Sequence, residues 1–197
     1  MTAYQNFLDF FSTNHRGRLD GLNELHFAAM TAQDRALAFD YLVKFVEEGG
    51  SRETVNGLFL ADAERAAPVA RELLEARILR EDAEIAAAWQ LQRVQANADL
   101  LAVFIRCMAS GDKYNRANAA FYVAADVLTA ELNAALKTMI RTETETLPLV
   151  NAINKLLECH GITREAVDKA VFSRFYRGLR SKELHEKEAI FEELKTM

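Results

Sequence analysis

The chain has 197 residues, half of them hydrophobic, and a formal net charge of −5. This composition excludes an intrinsically disordered chain, which would hold few apolar residues, and the length is sufficient for one domain with a sizeable core. Only 8 glycines and 2 prolines interrupt a sequence that is rich in Ala, Leu and Glu, so we expect helices throughout.

Targeting and redox features point to the cytoplasm. No run of about 18 apolar residues is present, so we expect no transmembrane helix. The first residues, "MTAYQNFLDFFSTNH", include Asp9 and lack a basic region, which argues against a secretory signal. Cys107 and Cys159 lie far apart within helical patterns, and burial as small apolar residues is favoured over a disulfide.

Charge is unevenly distributed along the chain. Residues 1–100 hold 16 acidic and 10 basic residues, a net charge of −6, whereas residues 101–197 hold 13 acidic and 14 basic residues, a net charge of +1. A nucleic-acid-binding protein normally presents a basic face. The overall balance therefore counts against nucleic acid as the main partner.

Helix starts follow a recurring pattern in which a capping residue precedes an acidic residue by two positions. The cap accepts a backbone N–H, and the acidic side chain then lies in the first turn, where the helix dipole favours it. In chain order the pattern occurs at Ser51–Glu53, Asn97–Asp99, Thr129–Glu131, Thr163–Glu165 and Ser181–Glu183. Glycines that tolerate left-handed backbone predict helix ends; they are Gly49, Gly50, Gly111, Gly161 and Gly178.

Apolar residues between these marks have helical spacing, and no stretch alternates with period two over the length of a strand. The sequence therefore predicts an all-α protein of about eleven or twelve helices. The predicted helices span residues 2–14, 21–30, 32–48, 51–60, 63–77, 81–94, 97–109, 113–125, 129–142, 147–159, 163–177 and 181–195.

The helix starts also repeat along the chain. Those at 97, 129 and 163 are 32 and 34 residues apart, and those at 51, 81 and 113 are 30 and 32 residues apart. Two interleaved series with this period indicate helix-hairpin repeats. Stacked hairpins of this kind share one continuous core, since each cannot bury its apolar face alone.

One stretch shows how such helices could pack. In "DKYNRANAAFYVAADVL", residues 112–128, the small residues Ala117, Ala119 and Ala120 allow a second helix to approach, and we expect Phe121 and Val123 to fill the adjacent layer. Related stretches are "DRALAF" at 34–39, "DAERAAPVARELL" at 62–74 and "EIAAAWQL" at 84–91.

This order of an acidic residue, an arginine, paired alanines and large apolar residues resembles HEAT-like repeats of the short, lyase-associated kind. The resemblance covers roughly residues 31–177. It implies a right-handed α-solenoid of antiparallel hairpins, forming one domain over residues 1–197. Residues 1–30 would then form N-terminal capping helices, and residues 181–197 a C-terminal capping helix. Members of the family mostly bind other proteins along a concave surface, so the resemblance implies a shape and not a reaction.

Motifs for catalysis, cofactors and metals are not found in the sequence. The four histidines do not pair at metal-ligand spacing, and neither a phosphate-binding glycine loop nor a GxSxG elbow occurs. Cys159 and His160 are adjacent at a predicted helix end, where a structural or capping role is favoured. We therefore predict no enzyme, no cofactor and no metal site.

Two charged surfaces are candidates for binding a partner. The first is acidic, with Glu72, Glu75, Asp99 and Glu131, although Asp99 and Glu131 are also explained by the helix dipole alone. The second, in "FSRFYRGLRSK" (172–182), is basic and consists of Arg174, Arg177, Arg180 and Lys182. It could hold phosphate or an acidic partner, but cations at a helix C-terminus facing the acidic last helix are the favoured explanation.

These features favour a non-enzymatic protein-binding solenoid. The specific version we favour is a bacterial immunity protein that neutralises a toxin or effector domain with a basic surface, because charge complementarity speeds such association. A regulatory scaffold or adaptor is the alternative. A HEAT-like DNA glycosylase is a third hypothesis, against which the negative charge and the single tryptophan count.

Overall fold

The protein is all-α. The computed structural model describes residues 2–12, 21–94, 98–126 and 128–196, apart from the side chains of residues 98 and 99. Over these ranges the chain forms twelve helices and no strand, which confirms the predicted fold class. None of the described helices is both long and apolar enough to cross a membrane. Contacts divide the chain into an N-terminal unit, Met1–Asn97, and a C-terminal unit, Ala98–Met197.

The N-terminal unit is built around its fourth helix. Its helices are α1 (Ala3–Ser12), α2 (Leu25–Ala28), α3 (Ala32–Glu47), α4 (Arg52–Ala61), α5 (Ala63–Glu75) and α6 (Glu81–Val94). Helix α4 packs against α3, α5 and α6, and Leu58 on α4 is buried with Leu91 on α6 and Leu42 on α3. A side-chain hydrogen bond of 3.0 Å from Gln90 Nε2 to Asn56 Oδ1 also joins α6 to α4.

Aromatic rings hold the first three helices together. The ring of Phe7 on α1 is fully buried. Its centroid lies 5.6 Å from that of Phe27 on α2 and 5.7 Å from that of Tyr41 on α3. Edge-to-face and tilted pairs at such distances add to the stabilisation from burial alone. The first helix is therefore fixed to the unit by ring contacts.

The C-terminal unit is centred on its fourth helix. Its helices are α7 (Ala98–Cys107), α8 (Lys113–Tyr122), α9 (Ala130–Thr142), α10 (Thr146–Cys159), α11 (Lys169–Arg180) and α12 (Leu184–Leu194). Helix α10 packs against α8, α9 and α11, and α12 packs against α11 and α9. A hydrogen bond of 3.0 Å from Asn151 Nδ2 to the carbonyl of Ala117 joins α10 to α8.

Two of the predicted caps, Ser51 and Thr129, are present, and Thr31 and Asp112 act as further caps. Thr31 and Ser51 form capping boxes, in which the cap and the third helical residue bond each other's backbone N–H. Asp112 accepts hydrogen bonds from two backbone N–H groups, and Thr129 accepts one from Leu132. The cap predicted at Asn97 lies outside the described residues.

The bounds of α11 differ from the prediction. Thr163 accepts the backbone N–H of Ala166 at 3.2 Å, as a cap would, but residues 164–166 form only a turn and the helix begins at Lys169. The helix also continues beyond Gly178, which was predicted as its end. A Cβ at Gly178 would lie 2.6 Å from Cγ1 of Ile190, so glycine is needed there for the close approach of α12. Ser181 is likewise not the cap of α12, because that position is held by Glu183.

The small face predicted on α8 is buried. Ala117, Ala119 and Ala120 are fully inaccessible, in keeping with the close packing of α8 on α10. The expectation that Phe121 fills the adjacent layer is wrong, since its side chain is 59% exposed. Phe121 lies seven residues after the equally exposed Tyr114, and this spacing puts both on the outer face of the helix.

Arginines from the repeated motif join successive helices. Arg116 Nη1 donates to the carbonyls of Ser110 and Gly111, which follow α7, at 3.0 and 3.1 Å. Arg35 donates in the same way to the carbonyl of Phe27 in α2 at 3.0 Å. Each arginine therefore joins its own helix to the segment before it, which is the end of α2 for Arg35 and the residues after α7 for Arg116.

Candidate protein-binding surfaces

An acidic ridge runs along the exposed side of α5. Ala66, Ala70 and Leu73 are the buried residues of this helix, which packs on α4 and α6. On the opposite side, four residues that follow one another at steps of three or four positions are all exposed. We call them the α5 ridge, and they are Glu64, Pro68, Glu72 and Glu75.

The carboxylates of the α5 ridge have no internal partner. Across the described ranges, Glu64, Glu72 and Glu75 make neither an ion pair nor a side-chain hydrogen bond. The neighbouring Arg65 is directed elsewhere: it bonds Asp40 Oδ1 at 2.9 Å and lies over the ring of Phe39 at 4.0 Å. The ridge thus presents three negative charges on one rigid helix.

The other two acidic residues predicted to bind a partner, Glu131 and Asp99, are not on α5. Glu131 is exposed in the first turn of α9, in the C-terminal unit. Hydrogen bonds from its own backbone N–H and from the hydroxyl of Thr129 lower the pKa of its carboxyl. This is the capping environment that the sequence suggested. The side chain of Asp99 lies outside the described part of the structure.

The predicted basic patch separates into two environments. Arg174 forms a two-pronged pair with both carboxylate oxygens of Glu193 on α12, at 2.6 Å each, and lies over the buried ring of Phe175 at 4.3 Å. Arg177, Arg180 and Lys182 are exposed. Arg174 therefore faces the acidic last helix, whereas Arg177 and Arg180 lie in the last turn of α11, where the helix dipole favours cations.

A cleft of about 400 Å³ borders the exposed face of α11. We call it the α11 groove. It is lined by Arg164, Lys169, Phe172, Ser173, Tyr176 and Arg177. Sequence reasoning missed Arg164, Lys169 and Phe172, although the helical spacing of Lys169, Phe172 and Tyr176 would have placed them on one face with Arg180.

Cys159 and His160 are partly buried at the end of α10. Burial is the main cause that raises the pKa of the Cys159 thiol to about 11, so the thiol is protonated at neutral pH and a poor nucleophile. Burial, followed by the charge of Lys137, lowers the pKa of His160. In the described ranges, no group of three or more His, Cys, Asp or Glu side chains is arranged to hold a metal ion.

Comparisons with protein-family models, with curated proteins and with solved structures found no match to this chain. The resemblance to HEAT-like repeats therefore stays a prediction from the residues quoted above.

Proposed function

We propose that the protein is a non-enzymatic, cytoplasmic protein-binding module, and that the α5 ridge contacts a partner with a basic surface. The observation that carries this proposal is the set of three exposed carboxylates without internal partners, Glu64, Glu72 and Glu75, on a single helix. Glu64 lies in the first turn of α5, where the helix dipole favours it, but Glu72 and Glu75 lie toward the other end of the helix. Their charges are free to complement a cationic surface, which accelerates association and selects partners.

Charge over the whole N-terminal unit supports this role. Residues 1–97 hold 15 acidic and 10 basic residues, a net charge of −5, whereas residues 98–197 hold 14 of each. All of the net negative charge therefore belongs to the unit that carries the α5 ridge. Because α5 is packed on two neighbours, binding through its outer face orders few additional groups, and this limits the entropic cost.

We also propose that each unit is a short stack of HEAT-like hairpins, as expected for an α-solenoid. Helices two apart in sequence pack directly, α4 with α6 and α8 with α10. The two hydrogen bonds that join them, Gln90 to Asn56 and Asn151 to Ala117, each connect residues 34 positions apart. This separation matches the period of the helix starts.

The specific version of this function that we favour is an immunity protein, which would neutralise a toxin by covering its basic surface. A regulatory scaffold or adaptor would use the same ridge, and only the nature of the partner separates the two. The charge-reversal variant Glu72→Lys/Glu75→Lys tests the shared part of the proposal. Its control is Asp126→Lys/Glu186→Lys, which changes the net charge equally at exposed carboxylates of the C-terminal unit.

The experiment is quantitative affinity capture from the source organism with three baits, the wild type and the two double variants. We expect one protein with a basic surface to be captured by the wild type and the control, and lost with the Glu72/Glu75 variant. Equal capture by all three would remove the α5 ridge from the interface. The captured protein is then expressed alone: growth arrest that the wild-type chain relieves supports immunity, and unaffected growth supports the adaptor instead.

A further inference from the structure

Unpaired positive charge is concentrated in one short region of the C-terminal unit. Most of its other cations are used internally, as in the pairs Arg116–Glu143, Arg141–Glu188 and Arg174–Glu193. Within the described ranges of this unit, five exposed cations have neither a carboxylate nor a backbone partner. They are Arg164, Lys169, Arg177, Arg180 and Lys182. Residues 163–182 hold six basic and two acidic residues, a net charge of +4 in a chain of net charge −5.

The α11 groove arranges three of these cations around an aromatic floor. The rings of Phe172 and Tyr176 are stacked, with centroids 5.8 Å apart and planes inclined by 21°. The guanidinium of Arg164 lies 5.3 Å from the centroid of Phe172, which fixes the turn before α11 against the helix. Lys169 and Arg177 line the same cleft.

We propose that the α11 groove binds an acidic peptide segment of another protein, one that carries both carboxylates and an apolar side chain. The planar guanidinium of arginine matches the geometry of a carboxylate and donates two parallel hydrogen bonds to it. The half-buried Phe172 and Tyr176 offer apolar contact at the centre, and the hydroxyls of Ser173 and Tyr176 add hydrogen-bonding capacity. This surface differs from the α5 ridge, since it is basic and is part of the other unit.

Peptide is favoured over single-stranded nucleic acid for two reasons. Nucleic-acid binding requires an extended basic track with open ring faces for base stacking. Here the ring of Phe172 is already in contact with Tyr176 and Arg164. The exposed carboxylates of Glu165 and Asp168 also interrupt the positive charge beside the groove, so a continuous phosphate backbone would meet repulsion there.

The test is fluorescence polarisation with the intact chain at about 50 mM salt, where screening is weak. The probe is a labelled peptide of about ten Asp and Glu residues with one central Phe. Comparison probes are the same peptide with Asn and Gln, a fully acidic peptide without Phe, and a thymidine oligonucleotide of similar length. We expect saturable binding of the first probe, weaker binding without Phe and none of the uncharged peptide.

The variant Arg164→Gln/Lys169→Gln/Arg177→Gln should weaken binding by about tenfold. Its control, Arg52→Gln/Lys113→Gln/Lys195→Gln, removes three charges from cations that are similarly exposed but already paired, and should change binding by less than about twofold. Circular dichroism and thermal unfolding establish that both variants are folded. An equal loss in both, no saturable binding, or tighter binding of the oligonucleotide overturns the proposal. None of these outcomes bears on the α5 ridge, which is unchanged in all three proteins.

Discussion

The two units join their helices by different chemistry. In the N-terminal unit, the ring of Phe7 links α1 to α2 and α3 through Phe27 and Tyr41. In the C-terminal unit, three two-pronged arginine–glutamate pairs join separate elements at donor–acceptor distances of 2.6 to 3.2 Å. Three carboxylates of the C-terminal unit, Glu143, Glu188 and Glu193, are thus engaged by arginines, whereas the carboxylates of the α5 ridge stay unpaired. The comparison indicates where surface charge is available to a partner.

The ring contacts should give the largest single effect. Replacing Phe7, which is fully buried, with alanine should destabilise the protein by about 3–5 kcal/mol, because burial is lost and a cavity remains. Phe45→Ala is the control, since that ring is 39% exposed and should cost less than half as much. Urea unfolding at low and high salt measures both. A loss for Phe7→Ala that depends strongly on salt would contradict an apolar origin.

The small face of α8 comes next. Ala120→Arg places a long charged side chain at a fully buried position against α10, and should cost about 3 kcal/mol from overpacking and an unpaired charge. The control Phe121→Arg introduces an arginine at the neighbouring position, where the side chain is 59% exposed. Changes in the free energy of unfolding of about 0.5 kcal/mol are typical at such positions. If both variants unfold at the same temperature, the interface between α8 and α10 is placed wrongly.

The contribution of the arginine–glutamate pairs to the free energy of unfolding should depend on pH. The side chain of Glu143 is only 5% exposed and pairs with Arg116, so Glu143→Ala should cost about 2 kcal/mol at pH 7. The guanidinium holds the pKa of the Glu143 carboxyl below its usual range. Its contribution is therefore present above the unfolded pKa of about 4.3 and disappears as the pH falls through the folded value.

The matched control for this pair is Glu145→Ala. Glu145 pairs with Lys113 at 3.4 Å with both side chains about half exposed, and should contribute less than about 0.5 kcal/mol. Chemical denaturation of the wild type and both variants from pH 7 to pH 3 is the measurement. A deficit for Glu143→Ala that does not shrink in acid would show that packing, and not the ion pair, is responsible.

The smallest effect is expected at His160. Burial and the charge of Lys137 lower the pKa of its imidazole, so the unfolded chain binds a proton more readily than the native state. Stability from this site is present above the unfolded pKa of about 6.5 and is lost as the pH falls toward the folded value. His160→Gln should flatten the dependence of unfolding free energy on pH between about 7.5 and 5.

His185, which is exposed on α12, provides the comparison for that measurement. His185→Gln makes the same replacement at a side chain in solvent, so a change of slope found in both variants would not come from burial at the end of α10. Identical slopes for the wild type and His160→Gln would mean that His160 is solvated in the native state.

Local signals in the sequence were sufficient for the fold class and for many helix starts. A cap such as Ser51 or Thr129 acts within three residues, so its pattern can be recognised in the sequence alone. The start of α11 could not be predicted in this way, because the hydrogen bond of Thr163 forms equally well in a turn. The fit of Gly178 against Ile190 depends on two helices meeting, which local patterns do not encode.

The candidate surfaces show the same limit. The exposure of Glu72 and Glu75 followed from the helical spacing around the buried Leu73. The different environments of Arg174 and Arg177 could not be predicted from spacing, since Arg174 pairs with Glu193, which is 19 residues away. Arg164 was missed for a related reason: it lies in the turn before α11, and only its contact with Phe172 brings it to the groove.

Pro68 gives the α5 ridge a property that its charges do not. Proline has no N–H, so the carbonyl of Glu64, four residues earlier, lacks the donor that an ordinary helix would supply. A main-chain acceptor is therefore left one turn before Pro68, at the N-terminal end of the ridge, in a position fixed by the backbone. Unlike the side chains, this oxygen cannot be reversed in charge by mutation, and it does not titrate. A partner that reaches it with an arginine or lysine would recognise the shape of the helix as well as its charge, and would lose that contact in Pro68→Ala.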